Sequence, residues 1–204
     1  KMPTPPLLIE KPPRSLAKPV MTAYLEKDVA RQYAPPDLKS LQHFGRGLSR
    51  EQAQALQKSG QALILTVGHS REHVWSALNA ATGIAEAIAR ETGGLIWDEE
   101  TREMFTPDEW RKRRIETWTG TIPDVTTHTT IHAYNDGEYV RAITLGMAKF
   151  GLPDVVVQEF SWSLNRNMGQ LVNALCQSLA EGGKIAKAGE YELDFRAIKD
   201  RKIR

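Results

Sequence analysis

The sequence has one cysteine, no long apolar run and almost no net charge. Each of these features makes one class of protein less favoured. With Cys176 alone, no intramolecular disulfide forms, and nothing indicates an oxidising compartment. No apolar stretch approaches the roughly 20 residues of a membrane-spanning helix. A formal net charge of +2 disfavours nucleic acid as the main partner, because nucleic-acid-binding domains usually carry a concentrated basic excess.

The N-terminus begins Lys1-Met2 and runs into proline without a signal peptide, which indicates a fragment or a trimmed product. The lack of paired cysteines favours a cytoplasmic location, and an exported form stays open because of the trimmed N-terminus. An unknown protein partner, or an adjacent domain of a longer chain, fits such a fragment.

The composition is that of a soluble globular protein. The chain has 204 residues, of which 41% are hydrophobic and 25% charged, and this suits one domain with a real core. We expect a proline-rich arm or linker over residues 1–19, a single domain over residues 20–196 and a basic tail over residues 197–204. Proline fixes φ and lacks an N–H, so the arm is expected to be extended.

Apolar spacing and capping signals predict the helices. Met21, Leu25 and Val29 recur at helical spacing, and Pro35-Pro36 would end that first helix. Ser49 and Gln52 form a capping box for a second, short helix. Three more helices are expected, at residues 70–92, from the Thr106-Pro107 cap to about Trp118, and at residues 168–179.

Runs of β-formers predict the strands at residues 62–67, 95–97, 103–105 and 155–157. Residues 126–134 and 139–149 flank Asn135-Asp136-Gly137 and are typical of a β-hairpin. Hairpins mixed with helices indicate an α+β fold with a mostly antiparallel sheet and helices packed against it.

The first hairpin strand carries the main candidate site. Side chains alternate on a strand, so His128, Thr130 and His132 would share a face, and Arg141 and Lys149 would join them from the second strand. Four residues of strand span roughly 13 Å, which is too far for the two histidines to share one metal easily. The face either lines a ligand cleft or is a solvated outer surface of the sheet, and we favour the second.

The register of this hairpin stays open in the sequence. A two-residue Asp136-Gly137 turn would place His132 opposite Arg141, whereas a three-residue loop would place Ile131 opposite Arg141. In the first register a histidine and an arginine meet, which favours an anionic ligand.

A weaker anion-binding candidate is the strand-to-helix junction of Gly68, His69, Ser70 and Arg71. Exposed N–H groups and the helix dipole favour anions at such a junction. It lacks the glycine pattern of a phosphate loop, so Ser70 is better interpreted as a structural N-cap.

Two charged clusters invite functional interpretations that we do not favour. The run Arg111–Arg114 is typical of a nucleic-acid patch, but Trp110, Arg114 and Trp118 share a helical stripe on which the guanidinium would stack between indoles. The acidic cluster over residues 98–103 could do acid–base chemistry, but in a hairpin loop solvated charge is expected.

Residues 93–182 resemble uncharacterised bacterial proteins. The stretches that carry the resemblance are Gly93–Arg102, Thr144–Asp154 and Leu171–Gly182, and the span from residue 93 to residue 182 covers about half of the chain. The resemblance implies a bacterial source and an α+β domain beside another domain. It brings no catalytic residues.

The function expected from the sequence is a binding or protein-interaction module without catalysis, cofactor or metal, so an enzyme is not favoured. The first alternative is a small-molecule enzyme or anion-binding domain that uses the His128/His132/Arg141 face. The second alternative is nucleic-acid binding through Arg111–Arg114.

Overall fold

The computed structural model describes residues 18–29, 33–185 and 189. Its contacts divide the chain into two compact units, residues 1–115 (unit 1) and residues 116–204 (unit 2), whereas the sequence predicts a single domain over residues 20–196. Most of the predicted arm and the whole basic tail lie outside the described residues.

Unit 1 opens with a strand where the sequence predicts a helix. Strand β1 (Val20–Glu26) pairs antiparallel with β3 (Ala62–Gly68), so the predicted first helix is wrong over residues 20–26. The four-residue spacing of Met21 and Leu25 fits a helix, but the backbone hydrogen bonds go to β3. Pairing with a distant strand overrides a local pattern of this kind.

Short helices with clear caps follow β1. Helix α1 (Leu38–Phe44) begins at Asp37, whose carboxylate accepts a hydrogen bond from the N–H of Ser40, and leads into β2 (Gly45–Arg46). Helix α2 (Arg50–Leu56) has the predicted capping box, because the Ser49 and Gln52 side chains each accept from the other's backbone N–H. These bonds lie within one turn of chain, which is why the sequence reveals them.

A long helix and a second sheet complete unit 1. A 3₁₀ turn (Arg71–His73) leads into α3 (Val74–Thr92), which ends at Gly93 in the left-handed conformation. Strands β4 (Ile96–Asp98) and β5 (Glu103–Phe105) form the predicted hairpin, and β2 pairs with β5. Helix α4 (Pro107–Trp110) continues as a π-helical turn (Arg111–Ile115). The core cluster here is Ala89, Ile96, Phe105 and Trp110.

Unit 2 is a three-stranded antiparallel sheet with a helix on one face. After a 3₁₀ turn (Val125–Thr127), strands β6 (Thr130–Asp136), β7 (Tyr139–Leu145) and β8 (Val156–Phe160) pair in the order β6-β7-β8. Two 3₁₀ turns, Met147–Phe150 and Trp162–Leu164, flank β8, and α5 (Asn165–Ala180) follows. Met168 of α5 packs against the cluster of Val140, Ala142 and Phe160.

The hairpin register differs from both predicted alternatives. Asp136 pairs with Tyr139, so the two-residue turn is Gly137-Glu138, and His132 lies opposite Ile143. Gly137 has φ +65°, a left-handed conformation that favours glycine, and this places it inside the turn. The predicted pairs of Arg141 with His132 or Ile131 are wrong, because Arg141 lies opposite Tyr134.

The α+β class with mostly antiparallel strands is confirmed. Within the described parts of the chain, no helix is long and apolar enough to cross a membrane.

Candidate functional site

The strongest candidate surface is the side of the β6-β7-β8 sheet that faces away from the Met168 contact. Val140 and Ala142 point toward α5, so the alternating residues point the other way. We call this surface the outer sheet face, and it includes Thr130, His132, Tyr134, Asp136, Tyr139, Arg141, Ile143, Leu145 and Val156. Three of the predicted site residues, Thr130, His132 and Arg141, lie on it.

His128 and Lys149 lie elsewhere. His128 is fully buried in the turn before β6, where its ring packs edge-on against Trp118 and Phe150, at centroid distances of 5.8 and 6.3 Å. Lys149 lies in the 3₁₀ turn after β7. The predicted strand begins at residue 126, but β6 begins at Thr130, so the alternation that groups His128 with His132 does not apply.

Arg141 is the notable charged group of the outer sheet face. It is half-buried, its Nε is buried, and within the described residues Nε has no hydrogen-bond partner. Tyr134 lies directly opposite Arg141 in the sheet, and Tyr139 lies two residues earlier on the same strand. The face therefore presents a cation with one tyrosine opposite it and a second tyrosine two residues before it on the same strand.

The junction of Gly68, His69, Ser70 and Arg71 lies at the end of β3, one turn before α3 begins. Ser70 is the N-cap residue of the 3₁₀ turn, but its side chain does not cap the turn. Its Oγ instead lies 2.8 Å from Nδ1 of His73. The Ser70 hydroxyl is thus engaged locally, and the expected side-chain cap is wrong because His73 competes for the same oxygen.

Each side chain of the basic run Arg111–Arg114 is paired with a carboxylate. Arg111 donates two hydrogen bonds to Glu86, at 2.6 and 2.8 Å. Lys112 and Arg113 both pair with Glu109. Arg111, Lys112 and Arg113 are matched by carboxylates of the same unit, which leaves them less available to phosphates.

Arg114 is the centre of a buried ionic cluster that the sequence does not predict. Its guanidinium lies 3.1 Å from Asp98 and 3.2 Å from Glu103, and Glu103 also binds Arg46 at 2.6 Å. The side chains of Arg114, Asp98 and Glu103 are between 2% and 5% exposed. Asp98 and Glu103 face each other across the β4–β5 hairpin, so the expectation of solvated loop carboxylates is wrong for this pair.

The predicted contact of Arg114 with Trp110 is confirmed, and Phe105 is a second aromatic neighbour that the sequence does not predict. The guanidinium carbon lies 4.7 Å from the ring centre of Phe105 and 5.7 Å from that of Trp110. The helix changes to a π-helical turn at Arg111 and ends at Ile115, before Trp118.

Glu86 shows how arginines keep a buried carboxylate ionised. Burial acts to raise the pKa of Glu86, but hydrogen bonds from Arg90 and Arg111 outweigh it, and the pKa is lowered. Arg90 also pairs with Asp108 at 2.7 Å. A cavity of roughly 320 Å³ near the end of α3 is lined in part by Arg90, whose charge is thus already matched.

Cys176 is a core thiol, and we predict that it resists alkylation in the native state. Burial, followed by the negative charge of Asp154, raises the pKa of Cys176 to about 12. Iodoacetamide at mildly alkaline pH is expected to modify the chain only in urea. Rapid modification without urea would contradict the prediction.

The same shift predicts a pH dependence of stability. The folded state holds the thiol proton more tightly than the unfolded state, so this contribution is complete below about pH 9 and is lost as the pH rises toward 12. The free energy of unfolding, measured between about pH 9 and pH 12, should fall less steeply for Cys176→Ala than for the wild type.

Within the described residues, no group of three or more His, Cys, Asp or Glu side chains is arranged to hold a metal ion. No protein-family model, curated protein or solved structure matched the chain. What the chain binds is therefore inferred from its own geometry.

Proposed function

We propose that this chain is a binding module with no reaction of its own, and that it engages a protein partner through the outer sheet face. The observation that carries the proposal is the exposure of Tyr134, Tyr139 and Val156, at 46%, 52% and 41%, on one face of one sheet. Exposed aromatic and apolar groups that cluster on one surface are typical of protein interfaces, where tyrosine is enriched.

The shape of the face supports a macromolecular partner. Three neighbouring strands and up to seven residues of each make a surface of roughly 10 by 20 Å. Small-molecule sites are usually concave and enclose most of their ligand. The cavity of roughly 320 Å³ lies in unit 1 and is not lined by the residues of the outer sheet face.

The two alternatives have weaker support. An enzyme using His128, His132 and Arg141 would need these side chains on one surface, and His128 is buried against Trp118 and Phe150 instead. Nucleic-acid binding through Arg111–Arg114 would compete with the ion pairs that these side chains form. A protein-interaction module beside another domain of a longer, bacterial chain fits the outer sheet face better.

Selection of displayed random peptides tests the proposal. We expect peptide families to be enriched on the wild type and lost on the double variant Tyr134→Ser/Tyr139→Ser, because interface aromatics carry much of the binding energy. Both tyrosines are exposed, so the unfolding midpoint should change little. Leu38→Ser/Ile84→Ser is a matched control, since both residues are exposed apolar side chains of unit 1.

Two results would overturn the proposal. One is the absence of any family enriched on the wild type, and the other is equal enrichment on the tyrosine double variant. A metabolite that raises the unfolding midpoint of the wild type, but not that of a His132→Ala variant, would instead favour the small-molecule alternative.

A further inference from the structure

We infer that the partner segment is acidic and that one of its carboxylates pairs with Arg141 at the centre of the outer sheet face. This inference rests on the proposed function and adds the chemistry of the partner. It starts from a contrast between Arg141 and the arginines of unit 1.

Four arginines of unit 1 pair with buried carboxylates. Arg46 and Arg114 share Glu103, and Arg90 and Arg111 share Glu86. Arg141 forms no ion pair within the described residues, although it is half-buried in a sheet. Its buried Nε–H also lacks an acceptor there, and an unpaired buried donor of this kind is costly.

Two carboxylates of the same sheet lie near Arg141 in register, and neither meets this need. Glu159 lies in the bulge of β8 that faces the Val140–Ala142 stretch of β7, but it is exposed and forms no ion pair with Arg141. Asp136 lies on the same face at the end of β6, opposite Tyr139, but it is exposed and forms no ion pair with Arg141. The other side chains in register around Arg141 on this face include Tyr134 and Ile143, neither of which carries a negative charge at neutral pH. The carboxylate that would satisfy Arg141 therefore has to come from outside the described residues.

The tyrosines decide which kind of anion fits. A guanidinium binds a carboxylate through two parallel hydrogen bonds, and such a pair gains strength where water is partly excluded. Tyr134 and Tyr139 can supply that exclusion only if the ligand is large enough to cover their rings. A free phosphate or carboxylate leaves the rings uncovered, whereas a peptide with an acidic residue beside apolar residues covers them and reaches Arg141.

The test uses a random twelve-residue peptide library displayed on phage and the full chain as the target. We expect enriched peptides to carry Asp or Glu next to aromatic or aliphatic residues. Synthetic copies should bind Arg141→Gln about ten- to a hundredfold more weakly than the wild type, which is the usual effect of losing a charge-assisted pair. Their affinity for the wild type should fall as sodium chloride is raised.

Arg166→Gln is the matched control, because Arg166 is an exposed arginine of α5 in the same unit. It should bind the peptides like the wild type, and Arg141→Lys should retain part of the affinity. Thermal unfolding of each variant confirms that it is folded. Replacing the peptide carboxylates with amides should weaken binding to the wild type but not to Arg141→Gln.

The outcomes separate this inference from the proposed function. Enriched peptides that lack acidic residues, or that bind Arg141→Gln and the wild type equally, overturn the inference alone if Tyr134→Ser/Tyr139→Ser still abolishes binding. Failure of the wild type to enrich any family overturns both. Competition by inorganic phosphate as strong as that by the peptides would assign Arg141 to a small anion and overturn the inference.

Discussion

Replacing Arg114 with methionine is expected to lower the free energy of unfolding by about 3–5 kcal/mol, because two buried carboxylates lose their shared cation. Asp98 and Glu103 both lie within 3.2 Å of the guanidinium, and their side chains are each 5% exposed. Glu103 keeps its ion pair with Arg46 at 2.6 Å in this variant, whereas Asp98 loses the guanidinium at 3.1 Å. Urea unfolding followed by tryptophan fluorescence measures the change.

Two further variants identify the cause of that loss. Arg102→Met removes an exposed arginine paired with Glu99, and it should cost less than about 1 kcal/mol. The double variant Arg114→Met/Asp98→Asn also removes the buried Asp98 charge, leaves Glu103 paired with Arg46, and should recover part of the stability. If Arg114→Met unfolds at the same urea concentration as the wild type, the cluster does not stabilise unit 1.

The second large effect is expected in unit 2, where Thr144→Val should lower the free energy of unfolding by roughly 1–3 kcal/mol because two partly buried polar groups lose their partner. The Thr144 hydroxyl donates to Asp154 at 2.9 Å and accepts from the N–H of Val155 at 2.8 Å, and the residue is fully buried. Valine has nearly the same shape, so the loss reports on the hydrogen bonds rather than on a cavity.

Thr121→Val is the matched control for this measurement, since Thr121 is exposed and the substitution should change stability by less than about 0.5 kcal/mol. Asp154→Ala tests the same network from the other partner. Oδ1 of Asp154 accepts from the Thr144 hydroxyl and from the N–H of Met147, so the alanine variant loses both bonds and should be destabilised too. Equal stability of Thr144→Val and the wild type would show that neither bond contributes.

How much of the fold the sequence predicts depends on how far apart the interacting groups lie along the chain. The caps at Ser49 and Thr106 and the stop at Gly93 were predictable because each depends on a few neighbouring residues. The β4–β5 hairpin was predictable for the same reason. Strand β1 was not, because its partner β3 lies about 40 residues later and outweighs its own helical spacing.

The candidate site shows the same division. Alternation along β6 correctly groups Thr130 with His132, because the period of a strand is a local property. Whether His128 belongs to that strand depends on where β6 begins. His128 lies in the turn before β6, where its ring packs against Trp118 and Phe150, and these contacts are distant in sequence from the strand pattern. The partner of Arg141 across the sheet depends on a one-residue choice in the turn, which shifts the whole register.

The α+β class, the local caps and a polar, aromatic strand in unit 2 all follow from residue order alone. Only the tertiary structure decided that Arg114 is buried among carboxylates while Arg141 has no ion pair within the described residues. Both arginines have acidic residues within a few positions along the chain, so the local composition does not distinguish them. The difference arises because charges pair through space, and the β4–β5 hairpin brings two carboxylates to Arg114, whereas the sheet of unit 2 brings tyrosines to Arg141.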